Sequence, residues 1–116
     1  MRKNDIQLSD AELEIMNIIW QAQGELSTAQ ILKSEACAEW KRTTVSTFLS
    51  RLVEKGAICQ RKEGVTCYYS ALLDKADYRE KKTKSFIKSF YDGSAKALAL
   101  SLFKNSDLTK EDIAEL

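Results

Sequence analysis

Residues 40–56 read WKRTTVSTFLSRLVEKG. Val45, Phe48, Leu49, Leu52 and Val53 recur at i, i+3, i+4, i+7 and i+8, the spacing of a core-facing helical stripe, and Gly56 supplies a natural C-terminal stop. The remaining residues sit oddly with that helix. Hydroxyl and β-branched side chains are mediocre helix formers, yet Thr43, Thr44, Ser46, Thr47 and Ser50 crowd its first half. At 100° per residue, Thr43, Thr47, Ser50 and Glu54 lie opposite the stripe, with Thr44 and Arg51 on one shoulder and Ser46 on the other. Capping chemistry explains hydroxyls in a first turn, but these continue past it. Something other than helix propensity selected them.

Working outward, Ser9-Asp10-Ala11-Glu12 has the form of a capping box and predicts a helix over about Asp10 to Ala22, with Leu13, Met16, Ile19 and Trp20 as its buried stripe. Ser27-Thr28-Ala29-Gln30 is a second box, opening a short helix that carries Ala29, Ile31 and Leu32 and fades near Cys37. Trp20 and Trp40 read as packing residues. After Gly56 the period becomes extended: AICQRK (57–62) and VTCYYS (65–70) read as two strands, joined by a turn at Glu63-Gly64. A two-residue loop there sets Gln60 opposite Cys67 and Cys59 opposite Tyr68; a three-residue loop sets Cys59 opposite Cys67, where a disulfide becomes conceivable. Three helices followed by a hairpin is the order of a winged helix-turn-helix.

Beyond Ser70 the helical period returns. Asp74 to Asp77 can cap a segment reaching about Asp92, which Gly93 breaks; Ser94 to about Lys104 makes a second helix, and Thr109 to Asp112 caps a third containing Ile113 and Leu116. Ending on an apolar residue so soon after its cap, that last helix reads as trimmed or as completed by another chain. The expected fold class is therefore mainly α with a small β-hairpin: a winged helix domain over 1–72, then a three-helix region over 73–116. These three helices cannot easily close a core of their own. Phe86, Phe90, Tyr91, Leu98, Leu102 and Ile113 are the residues expected to bury against a second copy, making a homodimer.

Composition narrows the function. With 116 residues and 44% apolar content the chain can build a core without metal or disulfide help. It contains no histidine, and Cys37, Cys59 and Cys67 form no CxxC pair, so neither a metal site nor a cofactor is expected. No Gly-rich phosphate loop or convergent acid/base set suggests an enzyme. No apolar run approaches a membrane span, the N-terminus lacks a signal-peptide stretch, and odd cysteine usage suits a reducing compartment; the cytoplasm is expected, without membrane insertion. The net charge of +1 hides a partition. Residues 1–35 carry three cations against six anions, residues 36–62 six against two, and the remainder nine of each. The basic excess lies where a polyanion would be met.

In a winged helix-turn-helix the third helix enters the major groove of double-stranded DNA and the wing approaches the backbone. Thr43, Thr44, Ser46 and Thr47 are then candidates to face bases and phosphates, while Lys41, Arg42, Arg51 and the wing residues Arg61 and Lys62 would neutralise phosphates. The lysines at 81, 82, 84 and 88 read as a solvated face. The rival reading is a winged helix used as a protein-interaction module, whose third helix would show an apolar outer face.

The sequence resembles the penicillinase repressor family of bacterial transcriptional regulators. The matching stretches are LSDAELEIMNIIW at 8–20, Thr44 to Leu52 with Lys55-Gly56, the wing end Tyr68-Tyr69-Ser70, and SFYDGSAKALALSLFKNSDLTKEDIAEL at 89–116. The resemblance implies a dimeric repressor on a dyad operator, with a three-helix C-terminal part interlocked between protomers. Copper-responsive members carry a CxC-type tail that is missing here. The β-lactam-responsive members have a C-terminal segment resembling residues 90–116, cut by a membrane sensor metalloprotease, which by resemblance places the scissile bond between Ser101 and Leu102. The family pattern there is usually Asn-Phe, so this chain departs at both positions; a copper-responsive or otherwise induced repressor is the alternative.

Overall fold

The computed structural model of the chain describes residues 5–105 and 108–115, the side chain of Ala36 aside. Arg2 and Lys3, two of the three cations of residues 1–35, and Leu116, expected in the last helix, lie outside them. The elements run α1 (Asp10–Ala22), β1 (Leu26–Ser27), α2 (Thr28–Leu32), a 3₁₀ turn (Glu35–Cys37), α3 (Arg42–Lys55), β2 (Ile58–Glu63), β3 (Thr66–Ala71), α4 (Lys75–Tyr91), α5 (Ala95–Lys104) and α6 (Lys110–Glu115). They divide into two units, Met1–Lys75 and Ala76–Leu116.

Both N-terminal capping boxes form. Ser9 Oγ accepts from the Glu12 amide at 3.2 Å while Glu12 Oε1 accepts from the Ser9 amide at 2.7 Å. Ser27 and Gln30 repeat the exchange at 3.2 and 2.8 Å. Two orphan amides of each helix are thus satisfied by residues three apart, which is why these starts were legible. The buried face of α1 is Glu12, Ile15, Met16 and Ile19. Ile15 takes the depth expected of Leu13, which is half-buried along with Trp20. Likewise α3 buries Val45, Leu49 and Leu52, whereas Phe48 and Val53 are half-buried. With Ile6, Ile31, Cys37, Ala57, Ile58, Tyr69 and Leu73, these residues make the core of the first unit.

Glu12 has a second role. Lys55 Nζ, in the last turn of α3, reaches the same Oε1 at 2.6 Å and the Gln7 carbonyl at 2.8 Å. Burial alone would push the Glu12 carboxyl up; the hydrogen bonds from Lys55 and Ser9 and the Lys55 charge together outweigh it and hold the carboxyl below the usual carboxylate range. Trp20 Nε1 donates to the Leu73 carbonyl at 2.8 Å, and the Ala57 carbonyl accepts from the amides of Leu72 and Leu73. These bonds fix the two ends of the hairpin against the helices.

The hairpin differs from both expected registers. Gly64 and Val65, not Glu63 and Gly64, are the turn residues, so Glu63 faces Thr66, Lys62 faces Cys67, Gln60 faces Tyr69 and Cys59 faces Ser70. Gly64 takes φ +62 as the first central residue, the position that a type II′ turn reserves for glycine. With a two-residue turn in either position Cys59 and Cys67 lie on opposite faces of the sheet, which excludes the three-residue-loop pairing, and both are free thiols. No disulfide can join them. A third strand was also unforeseen: β1 pairs antiparallel with β3, giving the order β1-β3-β2. Two residues are too short a run to show a period.

In the second unit, Asp92 and Gly93 adopt φ +50 and +84 and end α4, Ser94 Oγ caps α5 through the Ala97 amide at 3.1 Å, and Thr109 and Asp112 exchange reciprocal bonds at the start of α6. Tyr91 Oη donates to Ser101 Oγ at 3.1 Å. Phe86 stacks on Phe90 and Tyr91 with centroids 4.9 and 5.8 Å apart.

Candidate nucleic-acid interface

The start of α3 breaks two local rules that α1 obeys. Its N-cap is Lys41, with no side-chain cap, so none of the neighbouring hydroxyls is there to satisfy the helix end. No acidic residue stands in its first turn, where α1 has Asp10 and Glu12; Arg42 occupies the first helical position instead. Cations at the positive end of a helix dipole forgo about 0.3–1 kcal/mol apiece relative to acids. The helix is thus weakened at the place where its potential becomes most positive, and such a conflict between local and global preference is characteristic of functional surfaces.

Lys41, Arg42, Thr43, Thr44, Ser46, Thr47, Ser50 and Arg51 are all exposed, on the face away from buried Val45, Leu49 and Leu52. Thr47 Oγ1 donates to the Thr43 carbonyl at 2.9 Å. That spends its proton but leaves the oxygen as an acceptor and the methyl as an apolar contact. On the shoulder, Trp40 and Phe48 pack with centroids 5.8 Å apart, and the Arg51 guanidinium lies 5.5 Å above the Phe48 ring. This tilted aromatic pair explains why Phe48 is only half-buried: it supports Arg51. Lys41, Arg42, Arg51 and Lys62 form no ion pair among the described residues, so their charges are available to an anion.

The wing residues are not brought together. Arg61 and Lys62 project from opposite faces of β2, and Arg61 is already occupied, its Nε meeting Glu25 and its Nη1 meeting Glu63. The hydrogen bond from Arg61 is the main reason that the Glu25 carboxyl is held low; those to Glu25 and Glu63 are the main reason that Arg61 is driven still higher. At the wing tip, Val65 is fully exposed, an apolar residue that the sequence reading left unremarked although a glycine turn precedes it. Glu25 carried no local signal at all.

Comparisons with known proteins bear on the family and the fold. The family model described as the penicillinase repressor matches residues 8–116. The chain belongs to the penicillinase repressor family. The penicillinase repressor of Bacillus licheniformis is 38% identical over 111 residues, covering 95% of this chain and 86% of that protein. The methicillin resistance regulatory protein MecI of Staphylococcus aureus is 31% identical over 116 residues, covering 100% of this chain and 94% of its own. The solution structure of the DNA binding domain of the repressor BlaI matches with a TM-score of 0.55 at 38% identity, over 62% of this chain and 88% of that one. That of the Bacillus licheniformis BlaI monomeric form in complex with the blaP half-operator matches with a TM-score of 0.52 at 39% identity, over 63% and 89%. The first unit is accordingly a winged helix.

In this penicillinase repressor family member the other expected site residues lie in the second unit. Phe86, Phe90, Leu102 and Ile113 are exposed, while Tyr91 and Leu98 are half-buried. The Ser101-Leu102 bond lies inside α5; the Ser101 carbonyl accepts from both the Asn105 amide at 3.0 Å and its Nδ2 at 2.8 Å. No described helix is long and apolar enough to cross a membrane.

Proposed function

We propose that this DNA-binding repressor of the penicillinase repressor family acts as a homodimer, laying α3 of each protomer into successive major grooves of a dyad operator. The observation that carries the reading is the start of α3: an exposed, short-chained hydroxyl face under unpaired cations, built at the expense of its own helix. Thr43, Thr44, Ser46 and Thr47 are close-approach residues able to meet base edges, thymine methyls and phosphates. Lys41, Arg42, Arg51 and Lys62 neutralise the backbone, and Arg51 does so from a fixed aromatic support. Such an outer face is polar and basic, which disfavours a protein-interaction module. The exposed aromatic and leucine side chains of 76–116 are the dimerisation surface, and bivalency supplies much of the operator affinity. A fluorescent duplex bearing the protein's own promoter, titrated over a salt series, tests the reading. Binding should weaken steeply with salt, and Arg51→Ala should reduce both the affinity and the salt slope while leaving the fold intact. Salt-independent binding, or none, overturns it.

Relief of repression by a membrane sensor metalloprotease cutting between Ser101 and Leu102 is the second part of the proposal. Because that bond is helical and its carbonyl is doubly held, cutting it requires local opening of α5. Incubation with the cognate sensor and a β-lactam should yield a fragment ending at Ser101; an intact chain would favour copper or another inducer.

A further inference from the structure

The outer face of the wing carries a closed charge cluster. Arg61 Nε donates to both oxygens of Glu25, at 2.8 and 3.2 Å, its Nη1 donates to Glu63 at 2.9 Å, and its Cζ lies 4.5 Å from the Tyr68 ring centroid. One cation shared by two carboxylates leaves a formal charge of −1, so a phosphate that approached this arrangement unchanged would meet net repulsion. Nothing local produces it. Glu25 is 36 residues from Arg61 and reaches it because β1, immediately after it, pairs with β3 at Tyr68 and Tyr69, while Arg61 faces Tyr68 from β2.

We propose that Glu25 competes with the DNA backbone for Arg61, so that the wing takes hold of operator DNA by exchanging a protein carboxylate for a phosphate. This rests on the operator-binding function proposed above. A guanidinium fork fits carboxylate and phosphate oxygens alike, so the exchange needs a swing of one side chain and no change of partner chemistry. The pair is built to be exchanged. The Arg61 and Glu25 side chains are 47% and 40% exposed, and solvent-exposed pairs are held weakly enough for a denser negative charge to displace them. Glu63, bonded through one oxygen where Glu25 uses two, and 69% exposed, is the looser of the two holders. Glu25 is therefore a positioning residue: it keeps the wing's arginine ordered over Tyr68 in the free protein and sets how much of that order DNA must undo.

The test is a double-mutant cycle on the full chain with the operator duplex. Glu25→Gln should tighten binding about three- to fivefold, the reach of an exposed pair, and Glu25→Asp, which keeps the charge but shortens the arm, should tighten it as well. Arg61→Gln should weaken binding and make the salt slope shallower by about 0.9, one phosphate contact. In the Arg61→Gln background the gain from Glu25→Gln should vanish. An equal gain in both backgrounds means that only bulk charge was altered, and no gain, or a loss, means that Glu25 does not compete with DNA for Arg61; either overturns the proposal. Failure of the unsubstituted chain to bind the duplex would instead overturn the repressor reading from which this one starts.

Discussion

In the first unit, Ile15, Met16, Ile19, Ile31, Leu49, Leu52 and Ile58 are at most 1% exposed, and among the described residues only Val65 and Leu72 stand out as large apolar side chains in water. In the second, Phe86, Phe90, Leu100, Leu102, Phe103 and Ile113 are between 40% and 72% exposed, and neither α5 nor α6 buries a residue. Both units are helical, capped and rich in apolar residues, so propensity does not separate them. The difference is closure. Three helices crossing a sheet enclose a volume, whereas three helices in series leave their apolar sides without a cover, at roughly 25 cal/mol for every Å² left in water. The first unit needs nothing further to hide its apolar side chains; the second leaves them for the partner copy proposed above.

The comparison can be broken most sharply at Phe90, 72% exposed. If the second unit is completed by a partner, Phe90→Asp should shift the solution mass from near twice 13.2 kDa toward 13.2 kDa and weaken operator binding by about a hundredfold through lost bivalency. Unchanged mass would show that the exposed face serves something else. The first unit is tested at Glu12, the one buried charge among its described residues. Lys55→Met removes the partner of Glu12 while leaving its carboxylate 2% exposed, and should cost about 1–3 kcal/mol in denaturant melts; a neutral result would mean that Ser9 alone suffices. The smallest effect is in pH. Because the folded Glu12 carboxyl titrates below its ordinary 4.5, its contribution is complete above that pH and is lost as pH falls through the lower, folded value. Glu12→Gln should flatten this acid limb, so that the melting temperatures of the variant and the unsubstituted chain converge as pH falls; parallel curves would remove Glu12 from the acid response.

Much of the site was legible because its signals are local. The hydroxyl run, the cations at 41, 42 and 51, the capping boxes and the glycine stop at Gly56 are all read within a turn or two of helix, where residues three or four apart touch whatever the rest of the chain does. What was missed depends on partners far along the chain. Arg61 looks like any basic wing residue until Glu25 arrives from before β1, and Phe48 looks like core until Trp40 and Arg51 are seen on its ring. The hairpin register failed for a different reason: Glu63, Gly64 and Val65 permit two two-residue turns, and both set Ile58 and Tyr69 on one face of the sheet, so the alternation of the strands does not choose between them.

By itself, then, the sequence determined the helices, their ends and the two-faced character of residues 42–55, with its polar, basic outer side, since caps and periodicity are short-range properties of a chain. Only the tertiary structure decided that Lys55 would donate a hydrogen bond to Glu12, 43 residues away, that two cysteines would face apart, and that the wing's arginine would be held by carboxylates. Those outcomes depend on which segments pack together, and long-range pairing has no period to announce it.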